Sequence, residues 1–211
     1  MNKQCRDMRI YLVDIDGRMI KAWESFFSNE ENIVIANRDV VEFLKTNVEV
    51  DSVVSAANAF GIMDGGLDAV YLRHFGLELQ EAVQCKISAE YLGEQPIGTS
   101  IVVDIPGHAG IKFYHIPSMR VPQPIIDPRV IYTCTRTALV TGILNGAKNM
   151  LLPAFGHLTG RVEAEIVSEL MYRAYNDVCK NSERPIKPKT CFEETVGLDD
   201  ILIKHFIYKY E

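Results

Sequence analysis

The chain has 211 residues, of which 47% are hydrophobic and 24% charged, and its formal net charge is −6. These values are typical of one globular domain with a sizeable core. The negative charge argues against a protein whose main task is binding the nucleic-acid backbone, because such proteins cluster Lys and Arg. No apolar run approaches the roughly 20 residues that a membrane-spanning helix needs, so we expect no membrane partner.

The cysteines are odd in number and widely scattered: Cys5, Cys85, Cys134, Cys179 and Cys191. No CxxC pair or Cys/His spacing typical of a metal site occurs, so we predict no metal. We interpret the cysteines as reduced thiols of a cytoplasmic protein, and Cys134, which lies in an apolar run, as a core residue. Charges interrupt the N-terminal apolar segment, so no secretion signal is predicted.

The first fifth of the chain predicts two strands with helices after them. Residues 8–13 and 33–36 are apolar strands, and residues 19–27 carry apolar side chains, including Trp23, at helical spacing. Asp39 precedes another helical pattern that begins at Val40, and its carboxylate is placed to cap that helix.

A DIDG sequence at residues 14–17 follows the first strand. It resembles the opening of the haloacid-dehalogenase-like phosphatases, in which the first Asp, here Asp14, attacks phosphorus. The second, here Asp16, would act as acid and base beside Mg²⁺. The alternative is a plain connection between strand and helix. Candidates for the other residues of such a phosphatase lie in no matching context: Ser55, Lys148 and Asp199-Asp200.

The stretch 52–76 has the clearest pattern, a buried strand followed by a glycine loop and a helix. The strand ends near Asn58, and the loop carries Gly61, Gly65 and Gly66. Apolar residues at helical spacing follow. This order places backbone N–H groups at the positive end of a helix, where proteins commonly hold a phosphate or diphosphate.

This stretch resembles the macro domain, a module that binds ADP-ribose. The family pattern is an apolar strand ending in Asn-Ala-Ala-Asn, a glycine-rich loop, and then Val-Asp opening a helix. Here residues 55–58 read SAAN, and Asn58 and Asp68 are ten positions apart, as in macro domains that hydrolyse ADP-ribose adducts. Ser55 replaces the first Asn of the pattern, and Met63-Asp64 replaces two loop glycines.

Two segments resemble a subset of bacterial and phage macro-like proteins. Residues 59–68, AFGIMDGGLD, are similar to a loop of that subset, in which Met-Asp is typical. Residues 117–122, PSMRVP, are similar to its Ala-Pro-Thr-Met-Arg-Val-Pro segment. Arg120 is suited either to contact phosphate or to form a structural salt bridge, and both interpretations stay open.

The second half of the chain predicts further strands and helices. They are a helix at 77–92, strands at 98–104 and 111–116, a helix at 128–146, a short strand at 150–154 and a helix at 162–178. His115 alternates with apolar neighbours in a strand, so we interpret it as a hydrogen-bonded structural residue.

The loop after the short strand lies where macro domains wrap a second glycine-rich loop around the diphosphate and the distal ribose. Gly156 and Gly160 match glycines of that loop, whereas His157 and Leu158 replace a Thr-Gly pair. Leu158 has a Cβ where a backbone must approach closely. The resemblance assigns ligand contacts to all of these residues and to Thr159.

The resemblance also assigns the remaining ligand contacts. Asp39 lies where the family carries Gly-Asp-Ile, whose Asp accepts a hydrogen bond from the adenine 6-amino group, and Val40 lies beside it. This role competes with helix capping for one carboxylate. The first glycine loop would hold the diphosphate through the amides of Gly65, Gly66 and Leu67.

Two functions follow from the resemblance. In a hydrolase that releases ADP-ribose from adducts, a reaction of the Appr-1-p-processing type, Asn58 orients the distal ribose and Asp68 positions or activates water. In a non-catalytic module the same pocket only recognises ADP-ribose. The Asn58–Asp68 spacing favours the hydrolase, and His157-Leu158 favours a divergent binder. The partner is ADP-ribose or an ADP-ribosylated substrate, with nucleic acid only as such a substrate, and we expect no cofactor.

We therefore expect an α/β fold, a three-layer α/β/α sandwich with a central mixed sheet and a site at the carboxyl ends of its strands. The macro-like domain should span residues 1–180. Residues 181–211 should form a linker and a C-terminal extension that packs on the domain.

Overall fold

The structure is a computed structural model that describes Cys5 and residues 7–180. The predicted C-terminal extension at residues 181–211, including Cys191 and Asp199-Asp200, lies outside the described residues.

Strands and helices alternate along the described part of the chain, largely as the periodicity predicts. In chain order they are β1 (Arg9–Asp14), α1 (Gly17–Phe27), β2 (Ile33–Asn37), α2 (Val40–Thr46), β3 (Ser52–Asn58), α3 (Gly66–Phe75), α4 (Glu78–Tyr91), β4 (Ile101–Asp104), β5 (Lys112–Met119), α5 (Arg129–Leu144), β6 (Asn149–Leu152) and α6 (Ala164–Tyr175). A π-helical turn, Asn176–Lys180, follows. None of the helices in this part of the chain is both long and apolar enough to cross a membrane.

The strands form one mixed sheet in the order β2-β1-β6-β3-β5-β4. All neighbouring strands are parallel except β4, which pairs antiparallel with β5. The parallel strands therefore all end at one edge of the sheet, which we call the carboxyl edge. Pairing between β3 and β6 ends at Val53 and Leu151, although β3 continues to Asn58. Strands β3 and β6 are therefore not paired with each other where the loops that follow them begin.

Helices cover both faces of the sheet, which confirms the predicted three-layer sandwich. Ile10 and Leu12 of β1 pack into a core with α1, α5 and α6. Tyr11 and Val13, which alternate with them, pack into a second core with α2, α3 and α4. This alternation is what a strand with both faces buried requires. Trp23 of α1 is fully buried, as predicted.

A disulfide bond joins the two ends of the described chain. Cys5 and Cys179 are bonded, with Cα atoms 5.3 Å apart, and 174 positions separate them in sequence. Cys85 and Cys134 are free thiols, and Cys134 is buried as predicted. The interpretation of the cysteines as uniformly reduced is therefore wrong for the bonded pair. Disulfides are typical of oxidising compartments, so the cysteines no longer argue for a cytoplasmic location.

Candidate functional site

Three loops at the carboxyl edge carry the predicted site residues. The turn after β2 carries Asp39. Residues 59–65 after β3 form the first glycine loop, and residues 153–163 after β6 form the second glycine loop. Because these strands are parallel, the loops that follow them lie on the same edge, where open α/β sheets bind ligands.

Asp39 caps helix α2 with only one of its carboxylate oxygens. Its Oδ1 accepts hydrogen bonds from the amides of Val41 at 2.9 Å and Glu42 at 3.1 Å. Within the described residues, Oδ2 has no hydrogen-bond partner, and the Asp39 side chain is exposed beside the buried Val40. Capping therefore leaves Oδ2 available for the predicted adenine contact.

Asn58 organises the first glycine loop. Its Nδ2 donates to the carbonyl of Ile62 at 2.7 Å, and its Oδ1 accepts from the amides of Phe60 at 3.1 Å and Ile62 at 3.3 Å. A primary amide has two N–H donors and two acceptor lone pairs. Three of these four are used inside the loop, which leaves one N–H for another partner.

Met63 explains why this loop departs from an all-glycine pattern. Its side chain is fully buried in the core beneath α3 and α4, and its amide donates to Gln80 Oε1 at 2.8 Å. Met63 therefore anchors the loop while the neighbouring Asp64 stays exposed. Beyond it, Gly65 and Gly66 are exposed, and no side chain caps the N-terminus of α3. The first amides of that helix, including that of Leu67, are therefore not occupied by a capping side chain.

Asp68 lies in the first turn of α3, and its side chain is buried rather than open to the edge. It is 6% exposed, and its Oδ1 accepts a hydrogen bond from Ser55 Oγ of β3. The pKa of Asp68 is raised to about 7, and burial is the largest cause; the Ser55 hydrogen bond opposes this rise, and the charge of Asp64 adds to it. No hydrogen bond joins the side chains of Asp68 and Asn58 in the described structure.

The second glycine loop is tightly folded. Gly156 has a φ of +75°, and a Cβ at Gly160 would lie 2.5 Å from the Gly156 carbonyl oxygen. Only glycine avoids that collision. Leu158 is 62% exposed, so its side chain points into solvent. Thr159 is also exposed.

His157 connects the second glycine loop to the DIDG segment. Its Nε2 lies 3.1 Å from Asp16 Oδ2 and its Nδ1 lies 3.2 Å from the carbonyl oxygen of Val162. Both ring nitrogens thus face oxygen atoms. Arg18, together with this contact, holds the pKa of Asp16 well below its usual range. No sequence pattern predicts this contact between residues 141 positions apart.

The same contacts do not support the phosphatase interpretation of the DIDG segment. Asp16 is bound to Arg18, whose Nη2 lies 2.7 Å from Asp16 Oδ2, as well as to His157. Asp14 Oδ1 accepts from the Asp16 amide at 2.8 Å. Asp16 also caps helix α1. The segment therefore forms the plain strand-to-helix connection.

Arg120 forms a structural ion pair. Its Nε and Nη2 donate to the two carboxylate oxygens of Glu94 at 2.7 and 3.0 Å, and its guanidinium lies 5.0 Å from the centre of the Phe60 ring. Because the guanidinium is already paired, the structure favours the salt-bridge interpretation over phosphate contact.

A small apolar cavity lies in the core and not among the loops of the carboxyl edge. It lies between β1 and the layer formed by α1, α5 and α6. Its lining residues include Ile10, Leu12, Phe27, Leu139 and Met171. It offers no charged group that could recognise a nucleotide.

Comparison with known proteins identifies the family to which the two glycine loops belong. The macro-domain family model matches residues 54–171. An uncharacterised protein of Aquifex aeolicus is 28% identical over 165 residues, which cover 76% of this chain and 88% of that protein.

Solved structures show the same fold. The macrodomain of Mycobacterium tuberculosis DarG superposes with a TM-score of 0.53 at 19% identity, covering 61% of this chain and 83% of that one. An Oceanobacillus iheyensis macrodomain with ADP superposes with a TM-score of 0.52 at 22% identity, covering 62% of this chain and 73% of that one.

Proposed function

This chain belongs to the macro-domain family, and we propose that it binds ADP-ribose along the carboxyl edge of its sheet. The observation that carries the proposal is the placement of two glycine loops, on β3 and β6, at the same edge as the exposed carboxylate of Asp39. A solved macrodomain of the same fold contains ADP. A dinucleotide-like ligand needs these three kinds of contact at one edge.

Each part of the ligand has a matching group. The free Oδ2 of Asp39 accepts a hydrogen bond from the adenine amino group, beside the backbone of Val40. The uncapped N-terminus of α3 carries partial positive charge, so its amides hold the diphosphate from one side. The second glycine loop, with Gly156 and Gly160, closes on the diphosphate from the other side.

The distal ribose lies near Asn58, whose remaining N–H donates to a ribose hydroxyl. Asp68 then accepts a proton from a water molecule, and the water oxygen bonds to the anomeric carbon. The bond from that carbon to the adduct breaks, and its electron pair leaves with the adduct, which takes up the proton. General-base help of this kind contributes about a hundred- to ten-thousand-fold, and a pKa of about 7 suits a base that works at neutral pH.

A binding module without turnover is the second candidate. It is favoured by the burial of Asp68, by the three loop bonds of Asn58, and by the absence of a hydrogen bond between their side chains in the described structure. In that case both residues shape the first glycine loop, and the ligand is held without chemistry.

We further propose that the chain belongs to the bacterial and phage subset of the family, a proposal supported by the loop sequence at residues 59–68.

Calorimetric titration with ADP-ribose, ATP and NAD tests the binding proposal. We expect ADP-ribose to bind more tightly than the other two ligands. Asp39→Ala should weaken ADP-ribose binding about ten- to a hundredfold, because a charge-assisted hydrogen bond is worth about 1.5–3 kcal/mol. Asp104→Ala, at the opposite edge of the sheet, is the matched control. Equal affinity for all three ligands, or no binding, would refute the proposal.

Incubation with an ADP-ribosylated protein separates the hydrolase from the binder. A hydrolase releases free ADP-ribose, and Asp68→Ala abolishes that release while Asp104→Ala does not. Release that survives Asp68→Ala would exclude Asp68 as the base. Binding without any release would establish the second candidate.

A further inference from the structure

Ser55 makes a contact that the family pattern does not predict. It stands where the family carries an Asn, and its side chain is fully buried between β3 and α3. Its hydroxyl group donates to Oδ1 of Asp68. This buried hydrogen bond runs from a neutral donor on strand β3 to a carboxylate on helix α3.

The surroundings of Asp68 make this hydrogen bond the main stabilising influence on its charge. Burial and the nearby Asp64 both raise its pKa, and Ser55 is the group that lowers it. Tyr71, one turn further along α3, donates its hydroxyl to the Val54 carbonyl at 3.3 Å and so gives Asp68 no hydrogen bond.

The neighbouring elements supply no positive charge to Asp68. On β5, His115 is paired in register with Ser55 and therefore shares its face of the sheet. Burial lowers the pKa of His115 to about 3, so its ring is neutral, and Nδ1 donates to Gln95 Oε1 at 2.7 Å.

The two helices packed against α3 add no positive charge near Asp68 either. On α2, Lys45 acts on His74 in the last turn of α3, away from Asp68. Helix α4 buries only the apolar residues Leu79, Val83 and Ile87. The Ser55 hydroxyl therefore has no substitute among the neighbouring helices.

We propose that Ser55 is a positioning residue, whose hydroxyl group holds the carboxylate of Asp68 ionised and in one orientation beneath the first glycine loop. This inference rests on the proposed function for its purpose, because an ionised Asp68 is the form that accepts a proton from water. It does not need turnover to be measured, because the protonation of Asp68 is observable in the free protein.

Ser55→Ala removes the donor and leaves the burial of Asp68 unchanged. The ionised carboxylate then loses its hydrogen bond, so its affinity for a proton rises by about tenfold or more. Ser55→Thr keeps a hydroxyl on a β-branched residue suited to a strand, and it should restore the wild-type behaviour.

Ser118→Ala is the matched control for losing a buried strand hydroxyl. Ser118 lies on β5, next to β3, and is 3% exposed. Its Oγ is buried and has no hydrogen-bond partner in the described residues. Removing it deletes the same atom type without touching Asp68.

The experiment is a carbon-13 NMR titration of the Asp68 side-chain carboxyl from pH 5 to pH 9, with the resonance assigned through Asp68→Asn. We expect the midpoint to move to higher pH in Ser55→Ala, and to stay near the wild-type value in Ser55→Thr and Ser118→Ala. A midpoint that Ser55→Ala leaves unchanged or lowers overturns the inference, as does an equal movement in Ser118→Ala.

A pH profile of ADP-ribose release connects this titration to function. The acid limb of kcat should move to higher pH in Ser55→Ala by the same amount as the NMR midpoint, while KM stays constant. If the midpoint moves but the protein binds ADP-ribose without releasing it from an adduct, the hydrolase proposal and the catalytic purpose of Ser55 are both overturned. An unmoved midpoint in an active enzyme overturns only the role of Ser55.

Discussion

Replacing Asp68 by Asn should stabilise the folded protein at alkaline pH, although the substitution removes the proposed catalytic base. Asp68 is 6% exposed and its carboxylate has one hydrogen bond, from Ser55. A buried carboxylate is costly to ionise. An Asn of the same shape keeps an oxygen for Ser55 and carries no charge.

The magnitude follows from the pKa of Asp68. Raising it from 3.8 to about 7 corresponds to roughly 4 kcal/mol, at about 1.36 kcal/mol per pKa unit. Between these two values the folded protein keeps a proton that the unfolded chain has released, so stability falls as pH rises. The loss begins near pH 4 and levels off above pH 8, and it is greatest where Asp68 is ionised in both states.

The substituted amide reduces this gain, because the new N–H₂ group has no partner in the described structure and costs about 1–3 kcal/mol. We therefore expect Asp68→Asn to be more stable than the wild type by about 1–3 kcal/mol in free energy of unfolding at pH 8.5. Near pH 4, where the folded wild type keeps Asp68 protonated, the variant should be equal or less stable. The two stability curves should cross between these pH values.

Urea unfolding at half-unit pH steps from 4 to 9, followed by circular dichroism, measures both curves. Asp104→Asn, which removes an exposed charge at the opposite edge, is the control. It should follow the wild type at every pH. Parallel curves for the wild type and Asp68→Asn would refute the reasoning, because Asp68 would then titrate alike in the folded and unfolded states.

Two further predictions concern how the chain is held together. Cys5→Ser should lower stability by about 3–5 kcal/mol. Reductant should lower the stability of the wild type by the same amount and leave that of the variant unchanged, because Cys5 pairs with Cys179. Equal melting temperatures of the wild type with and without reductant would contradict the bond. Gly156 and Gly107 share a φ of +75°, so replacing either by Ala should cost about 1 kcal/mol of backbone strain. Only Gly156 has a neighbour within 4 Å of its added Cβ, 2.7 Å away, so Gly156→Ala should be the more destabilising in urea unfolding.

The layers of the fold were predictable because they depend on local patterns. Strand β1 alternates residues that face two different cores, and Trp23 lies on the apolar stripe of α1. Spacing also placed Asp39 ahead of α2, so its capping role followed from sequence. The boundaries were less accurate: β4 begins at Ile101 and α6 at Ala164, later than predicted.

Contacts between distant residues were not predictable. The contact of His157 with Asp16 and the hydrogen bond of Ser55 with Asp68 join residues 141 and 13 positions apart. Neither pair forms a spacing motif. Each depends on which strands are neighbours and on how the loops fold back, which periodicity within one element does not specify.

These contacts fall where the chain departs from the macro-domain pattern. Met63, in place of a loop glycine, anchors the first glycine loop in the core. His157, in place of a Thr, ties the second glycine loop to Asp16. Ser55, in place of an Asn, bonds to Asp68. Each departure therefore adds a side-chain contact that fixes the position of a site loop or of the proposed base. A protein that had lost the site would accumulate departures without such partners, so these contacts support the proposed binding site.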